Sequence, residues 1–166
     1  MVNGVFDYGF IYEHRVESFA HDRDSYFVPS FSQKEMKLTE SEILENIKQK
    51  YYDAKLLNEN GRFANSIYLC GYCVELSLKL AITRKLNWPK YKTEGKFKFL
   101  KVHDFDLLVA FTGDEPRIKR IPSWSVVMLW NEHKRYEDPA KANKDDSDSM
   151  IEATKNMVED LCKISL

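Results

Sequence analysis

Cys70 and Cys73 stand at the Cys-x-x-Cys spacing of zinc and redox sites. A structural zinc needs four ligands, usually from a second such pair. Cys162 stands alone, and none of His14, His21, His103 and His133 is paired at ligand spacing. A redox Cys-x-x-Cys opens a helix after a strand, whereas this pair lies inside a helical pattern. The thiols therefore read as small core hydrophobes, and neither metal nor cofactor is expected. Asp145, Asp146 and Asp148 lack the Gly and Glu spacing of a calcium loop. There is no Gly-x-Ser-x-Gly, and the glycines are too scattered to cradle a phosphate.

Two groups offer binding chemistry. Glu75 and Lys79 form an i,i+4 pair in the favourable order, on a helix apolar enough to half-bury it. From Lys79 to Lys101 the chain holds Arg84, Lys85, Lys90, Lys92, Lys96 and Lys98 against Glu94 alone, with Trp88, Tyr91, Phe97 and Phe99 among them. Lysines can neutralise phosphates while aromatic faces stack on bases, so this stretch is the local candidate for single-stranded nucleic acid. The bland alternative is a solvated loop with its aromatics turned inward. Arg15 and His21 have a spacing that could serve phosphoester cleavage, but they sit in a charged N-terminal stretch where chance explains them better.

The elements that must position these residues are helical. The 166 residues are enough for one ordinary domain, and a hydrophobic fraction of 43% excludes a disordered chain. With 25 Lys+Arg against 26 Asp+Glu, the net charge of −1 excludes a protein that coats nucleic acid by bulk charge. Residues 1–37, where Phe6, Tyr8, Phe10 and Tyr12 alternate, read as an irregular extension packing on the body. Thr39 with Glu42 is a capping box, and the helix behind it stops at Asn60-Gly61. A second helix, from about 62 to 86, carries two stripes. Phe63, Ile67, Cys70, Val74, Leu78, Ala81 and Ile82 form one; Tyr68, Tyr72, Glu75 and Lys79 form the other. Two stripes require neighbours on two sides, so this helix is central. A loop over 87–102, a short helix from His103 to Phe111, a break at 113–122 and a helix from Ser123 to Tyr136 follow. The run from Lys141 to Asp148 reads as a solvated linker, and the last helix starts at a Ser149/Glu152 capping box. The expected fold is an all-α, four- to five-helix up-and-down bundle over residues 38–166.

The order of these segments resembles a known superfamily. A helix bearing Tyr52, Ala54 and Leu57 closes on Gly61-Arg62-Phe63. The long helix reaches Val74-Glu75-Leu76-Ser77-Leu78-Lys79, then come His103-Asp104-Phe105-Asp106-Leu107-Leu108, Trp130 and Arg135-Tyr136. Over residues 39–164 the chain is similar to the HEPN superfamily (higher eukaryotes and prokaryotes nucleotide-binding), helical bundles of prokaryotic defence and toxin–antitoxin systems. The resemblance implies a metal-independent ribonuclease site, Arg-x4-6-His, often written Arg-Asn-x-x-x-His-x-Tyr, on a late helix. Aligning its Asn with Asn131 puts Trp130 where the Arg belongs and Arg135 where the His belongs. His133 comes two residues early, about 200° away around a helix. Arginine cannot act as a base near neutral pH.

The expectation is therefore a non-catalytic HEPN-like module that holds RNA, a nucleotide or a partner protein. Arg135 would contact phosphate, Trp130 and Tyr136 would stack or pack, Asn131 would hydrogen-bond, and Lys79 would add charge. One competing expectation is an endoribonuclease using His133 with Arg135, or His103 brought in from another helix; another is purely structural, with Trp130 and Tyr136 as core and Arg135 satisfying a helix end. The resemblance further implies a homodimer with Trp130 and Arg135 at or near the boundary, and a cognate antitoxin or nucleotidyltransferase as partner. Three unpaired-looking thiols and no secretory signal or long apolar run point to the cytoplasm, away from membranes.

Overall fold

In the computed structural model, residues 38–166 are described; the expected N-terminal extension, with Arg15 and His21, lies outside them. Among the described residues every regular element is helical. The fold rests on three long helices: α1 (Glu40–Glu59), α2 (Phe63–Lys85) and α6 (Lys144–Cys162). Three shorter ones, α3 (Phe105–Thr112), α4 (Glu115–Ile118) and α5 (Trp124–Val127), cover the remaining side.

The start of α1 forms as its capping box requires. Thr39 Oγ1 accepts from the Glu42 amide at 3.2 Å, and the Glu42 carboxylate accepts from the Thr39 amide at 2.8 Å. Its Ile43, Ile47, Tyr51 and Ala54 are buried against α2, which returns after the three-residue turn at Asn60–Arg62. Gly61 occupies the left-handed region at φ +71°, where a side chain would be strained.

Helix α2 is the centre. It packs on α1, α3 and α6, and Cys70, Cys73, Val74, Leu78, Leu80 and Ile82 are sealed from solvent. By length and composition alone it could cross a membrane; the longest uninterrupted apolar run in the sequence did not reveal this. Most of it is buried inside the bundle, and it carries Glu75 and Lys79 within its span.

Two boundaries differ from those read in the sequence. Helix α6 begins at Lys144, with Asn143 Oδ1 accepting from the Asp146 amide at 2.9 Å, so the expected linker is its first turn and Ser149 caps nothing. Asp145 and Asp146 lie where the helix dipole favours negative charge, and Ser147 and Met150 already face the core.

The helix expected over 123–136 is broken. Only Trp124–Val127 is α-helical. Asn131 is extended at φ −148°, ψ 166°, and residues Glu132–Tyr136 form a 3-10 turn. The break turns Trp130 inward while leaving Met128 and Leu129 half or more exposed. Asn131 then restarts the chain by accepting from the His133 amide at 3.0 Å.

Candidate functional site

The second stripe of α2 supplies the floor of the site, and its polarity increases along the helix. Tyr68 donates its hydroxyl hydrogen to Tyr72 at 3.1 Å. One turn on, Glu75 is only 2% exposed, an unusual place for a carboxylate. It is tolerated because both oxygens are matched. Oε1 accepts from Lys79 Nζ at 2.5 Å, and Oε2 accepts from His103 Nδ1 at 2.7 Å. Lys79 also lies 5.6 Å over the ring of Tyr91, whose hydroxyl donates to the Leu100 carbonyl at 2.9 Å.

His103 comes from the residue before the α3 N-cap, Asp104. Its ring meets Tyr72 edge-on with centroids 5.8 Å apart. A carboxylate can only accept, so Nδ1 carries a proton in this pair, which in the neutral tautomer leaves the lone pair on Nε2. Two-fifths of the side chain is exposed. The arrangement is that of a base whose tautomer is fixed by a buried acid.

Beside His103 lies an open cleft of about 530 Å³. Its rim holds Lys101, Asp104, Asp106, Asn131 and Glu132, with Met128 on one wall and Phe105, Trp124 and Trp130 behind. The carboxylates are engaged. Asp104 accepts from the Leu107 amide at 3.0 Å, Asp106 pairs with Lys119 at 2.8 Å, and Glu132 lies 3.6 Å from His133. With Lys119 included, the three acids face two lysines, so this rim offers a polyanion no net attraction.

The wall is fixed by Trp130, which is 5% exposed. Its indole stacks on Phe105 at 5.1 Å and 17°, with Tyr72 at 5.5 Å and Tyr68 at 6.1 Å. It lies flat on the backbone of α2 at Gly71. A Cβ there would sit 2.2 Å from three atoms of the indole.

The residues singled out from sequence are thus redistributed. Trp130 is core and offers no stacking face, so of its two expected roles packing is the one the structure shows. Lys79 is held by Glu75 and is no free surface cation. The Asn131 oxygen is used in its cap. His133 is 76% exposed and turned towards Glu132. Arg135 lies 4.7 Å over the ring of Tyr136, which is itself 73% exposed. The neighbouring Tyr68 hydroxyl, more than any other group, raises the pKa of Arg135. Burial pushes the Tyr72 hydroxyl up, with Tyr68 and Glu75 adding to the rise and Arg135 opposing it. Tyr72 therefore feels Glu75 from one end of the stripe and Arg135 from the other.

Of the four rings in the lysine-rich stretch only Phe99, 44% exposed and tilted against Phe111, stays open to solvent. Lys92 lies over Trp88 and Phe97 at 5.2 and 5.8 Å, Lys96 over Phe97 at 5.2 Å, and Tyr91 is buried. Cys70, Cys73 and Cys162 are free and buried, and among the described residues no cluster could hold a metal ion.

Sequence reasoning placed Glu75 and Lys79 correctly on one stripe but did not connect Glu75 to His103. It also passed over Gly71. An isolated glycine inside a strong helical pattern costs about 1 kcal/mol against alanine, and that cost is the available signal of a close packing partner. The fold and site together define an all-α bundle with a buried-acid-oriented histidine at the edge of an open cleft. Compared with models of known families, with curated proteins and with solved structures, the chain finds no match.

Proposed function

We propose that the chain is a non-catalytic binding module of HEPN-like type, belonging to a prokaryotic defence or toxin–antitoxin system, and that it holds a partner protein. One observation carries this reading. Within residues 128–136, Met128, Leu129 and Tyr136 are 50%, 71% and 73% exposed. Met, Tyr and Arg are enriched at protein interfaces, and Arg135 belongs to the same segment, over the Tyr136 ring. RNA and nucleotides fit less well, because Tyr91 is buried, Trp88 and Phe97 lie under lysines, and the adjacent cleft rim offers no net positive charge. Neither position of the family's catalytic pair holds its residue. A homodimer and a cytoplasmic location, where three thiols stay reduced, complete the reading.

The test is RNA binding and cleavage measured on one preparation of pure protein. The expected outcome is no metal-independent cleavage, and no binding of single-stranded RNA that Arg135→Ala removes at low or moderate salt. Arg135-dependent RNA binding would overturn the choice of a protein partner. Light scattering that shows a monomer at micromolar concentration would overturn the dimer.

A second reading, an endoribonuclease, is favoured by one contact, the 2.7 Å bond from His103 Nδ1 to Glu75. His103 would act as the base in place of His133. Cleavage lost in His103→Ala and retained in His133→Ala would establish it.

A further inference from the structure

From the setting of Arg135 we infer that the 128–136 segment receives an acidic, apolar-flanked stretch of the partner protein, whose carboxylate pairs with the Arg135 guanidinium. The inference rests on the partner-protein reading above and names the chemistry of that partner. Arg135 is fully exposed yet not free to wander. Its guanidinium lies 4.7 Å over the Tyr136 ring, with the Tyr68 hydroxyl beside it. Much of the ordering cost of an arginine is thus met before any ligand arrives. Among the described residues the groups acting on it are tyrosines and no carboxylate. The guanidinium has five N–H donors, and those not turned to the two tyrosines are left for an incoming carboxylate.

Its neighbours do not compete for that role. Lys134 is paired with Glu137 at 3.0 Å, and His133 faces Glu132. Tyr136, under the guanidinium, and Leu129, exposed in the same segment, offer apolar area for the residues that flank the acid. A phosphate would match the fork equally well, and the surroundings decide between the two. A nucleic acid brings a charge at every residue, and the adjoining cleft, lined by Asp104, Asp106 and Glu132, offers it no net attraction. One carboxylate on an apolar peptide needs no such attraction beyond Arg135.

The experiment is selection of a displayed random-peptide library on the full chain, followed by titration of one synthesised binder. The variants are Arg135→Ala, Arg135→Lys and Leu129→Ser, each checked for native helix content by circular dichroism. Enriched peptides should carry Asp or Glu next to aliphatic or aromatic residues. The binder should lose at least about tenfold in affinity with Arg135→Ala. Arg135→Lys should not restore it, because a point charge lacks the fork. Enriched peptides without an acidic residue, or equal binding by Arg135→Ala, would overturn this inference and leave the partner-protein reading standing. No enrichment on the wild type beyond that on Leu129→Ser would overturn both. Preferential, Arg135-dependent binding of oligouridylate in place of peptide would reassign the arginine to RNA.

Discussion

Gly71→Ala sets two physical effects of opposite sign against each other at one residue. Alanine is favoured over glycine in a helix interior by about 1 kcal/mol, so on an isolated α2 the change would stabilise. In the folded protein the new methyl group would stand 2.2 Å from Cδ2, Cε2 and Nε1 of Trp130. Carbon atoms in good contact are roughly 3.5–4 Å apart, so the indole must move by about 1.5 Å. It has little room, because Phe105 is stacked on it and Tyr68 and Tyr72 crowd its sides. Overpacking of this kind costs about 1–3 kcal/mol. The stiff ring and the depth of the overlap put this case at the upper end, near 3. The net expectation is a loss of about 2 kcal/mol, which at a urea slope of about 2 kcal/mol/M lowers the midpoint by about 1 M. In a Trp130→Ala background the obstacle is gone, and the same substitution should stabilise by about 0.5–1 kcal/mol. The assay is urea unfolding of the four proteins of this cycle, with an expected coupling of about 3 kcal/mol. A neutral or stabilising Gly71→Ala in the wild type, or the same effect in both backgrounds, would refute the seat of Trp130 on α2.

Three further outcomes are expected. Glu75→Leu leaves Lys79 without its counter-charge and His103 Nδ1 without its acceptor and should cost about 3–5 kcal/mol in urea unfolding, with Glu75→Leu/Lys79→Met recovering part of it; a loss under about 1 kcal/mol would refute the buried network. Burial pushes the Cys70 thiol up to about 12 from an ordinary 9.0, so stability from its neutral form is fully present below pH 9 and declines as pH rises towards 12; at pH 8 a disulfide reagent should label it only after unfolding. Asn143→Ala should cost about 1 kcal/mol as the loss of an N-cap, while Ser149→Ala should stay within about 0.5 kcal/mol; the reverse order would restore the later helix start.

What the sequence made legible is what each element decides for itself. Thr39 and Glu42 act within one turn, and the two stripes of α2 follow from helical spacing, so the central helix could be read before any neighbour was known. The start of α6 was hidden because its first turn is polar throughout. Lys144 to Asp148 look like solvated chain, yet a helix N-terminus is stabilised by acids and an asparagine cap and needs only Ser147 and Met150 to point inward. The break before Trp130 was hidden for a different reason. Whether the chain stays helical after Val127 depends on whether the indole finds a seat, and that seat is a glycine far away in sequence.

The pairing of Glu75 with His103 lies between these two cases. A buried carboxylate has two oxygens to satisfy, and one lysine at i+4 naturally covers one of them. The stripe on α2 therefore demands a second donor from another element before that element is known. Lys101, His103 and Arg135 all come from other segments and were all available by type. Periodicity cannot choose among them, because it orders positions on one helix and says nothing of where a separate chain segment crosses it. The choice falls to His103 through the entry of α3. Asp104 caps that helix, Phe105 packs beneath Trp130, and the residue just before the cap is thereby held against the edge of Tyr72, within reach of Glu75. The same glycine that seats Trp130 thus helps set the position of the histidine, so Gly71→Ala should disturb the His103 environment as well as the stability of the bundle.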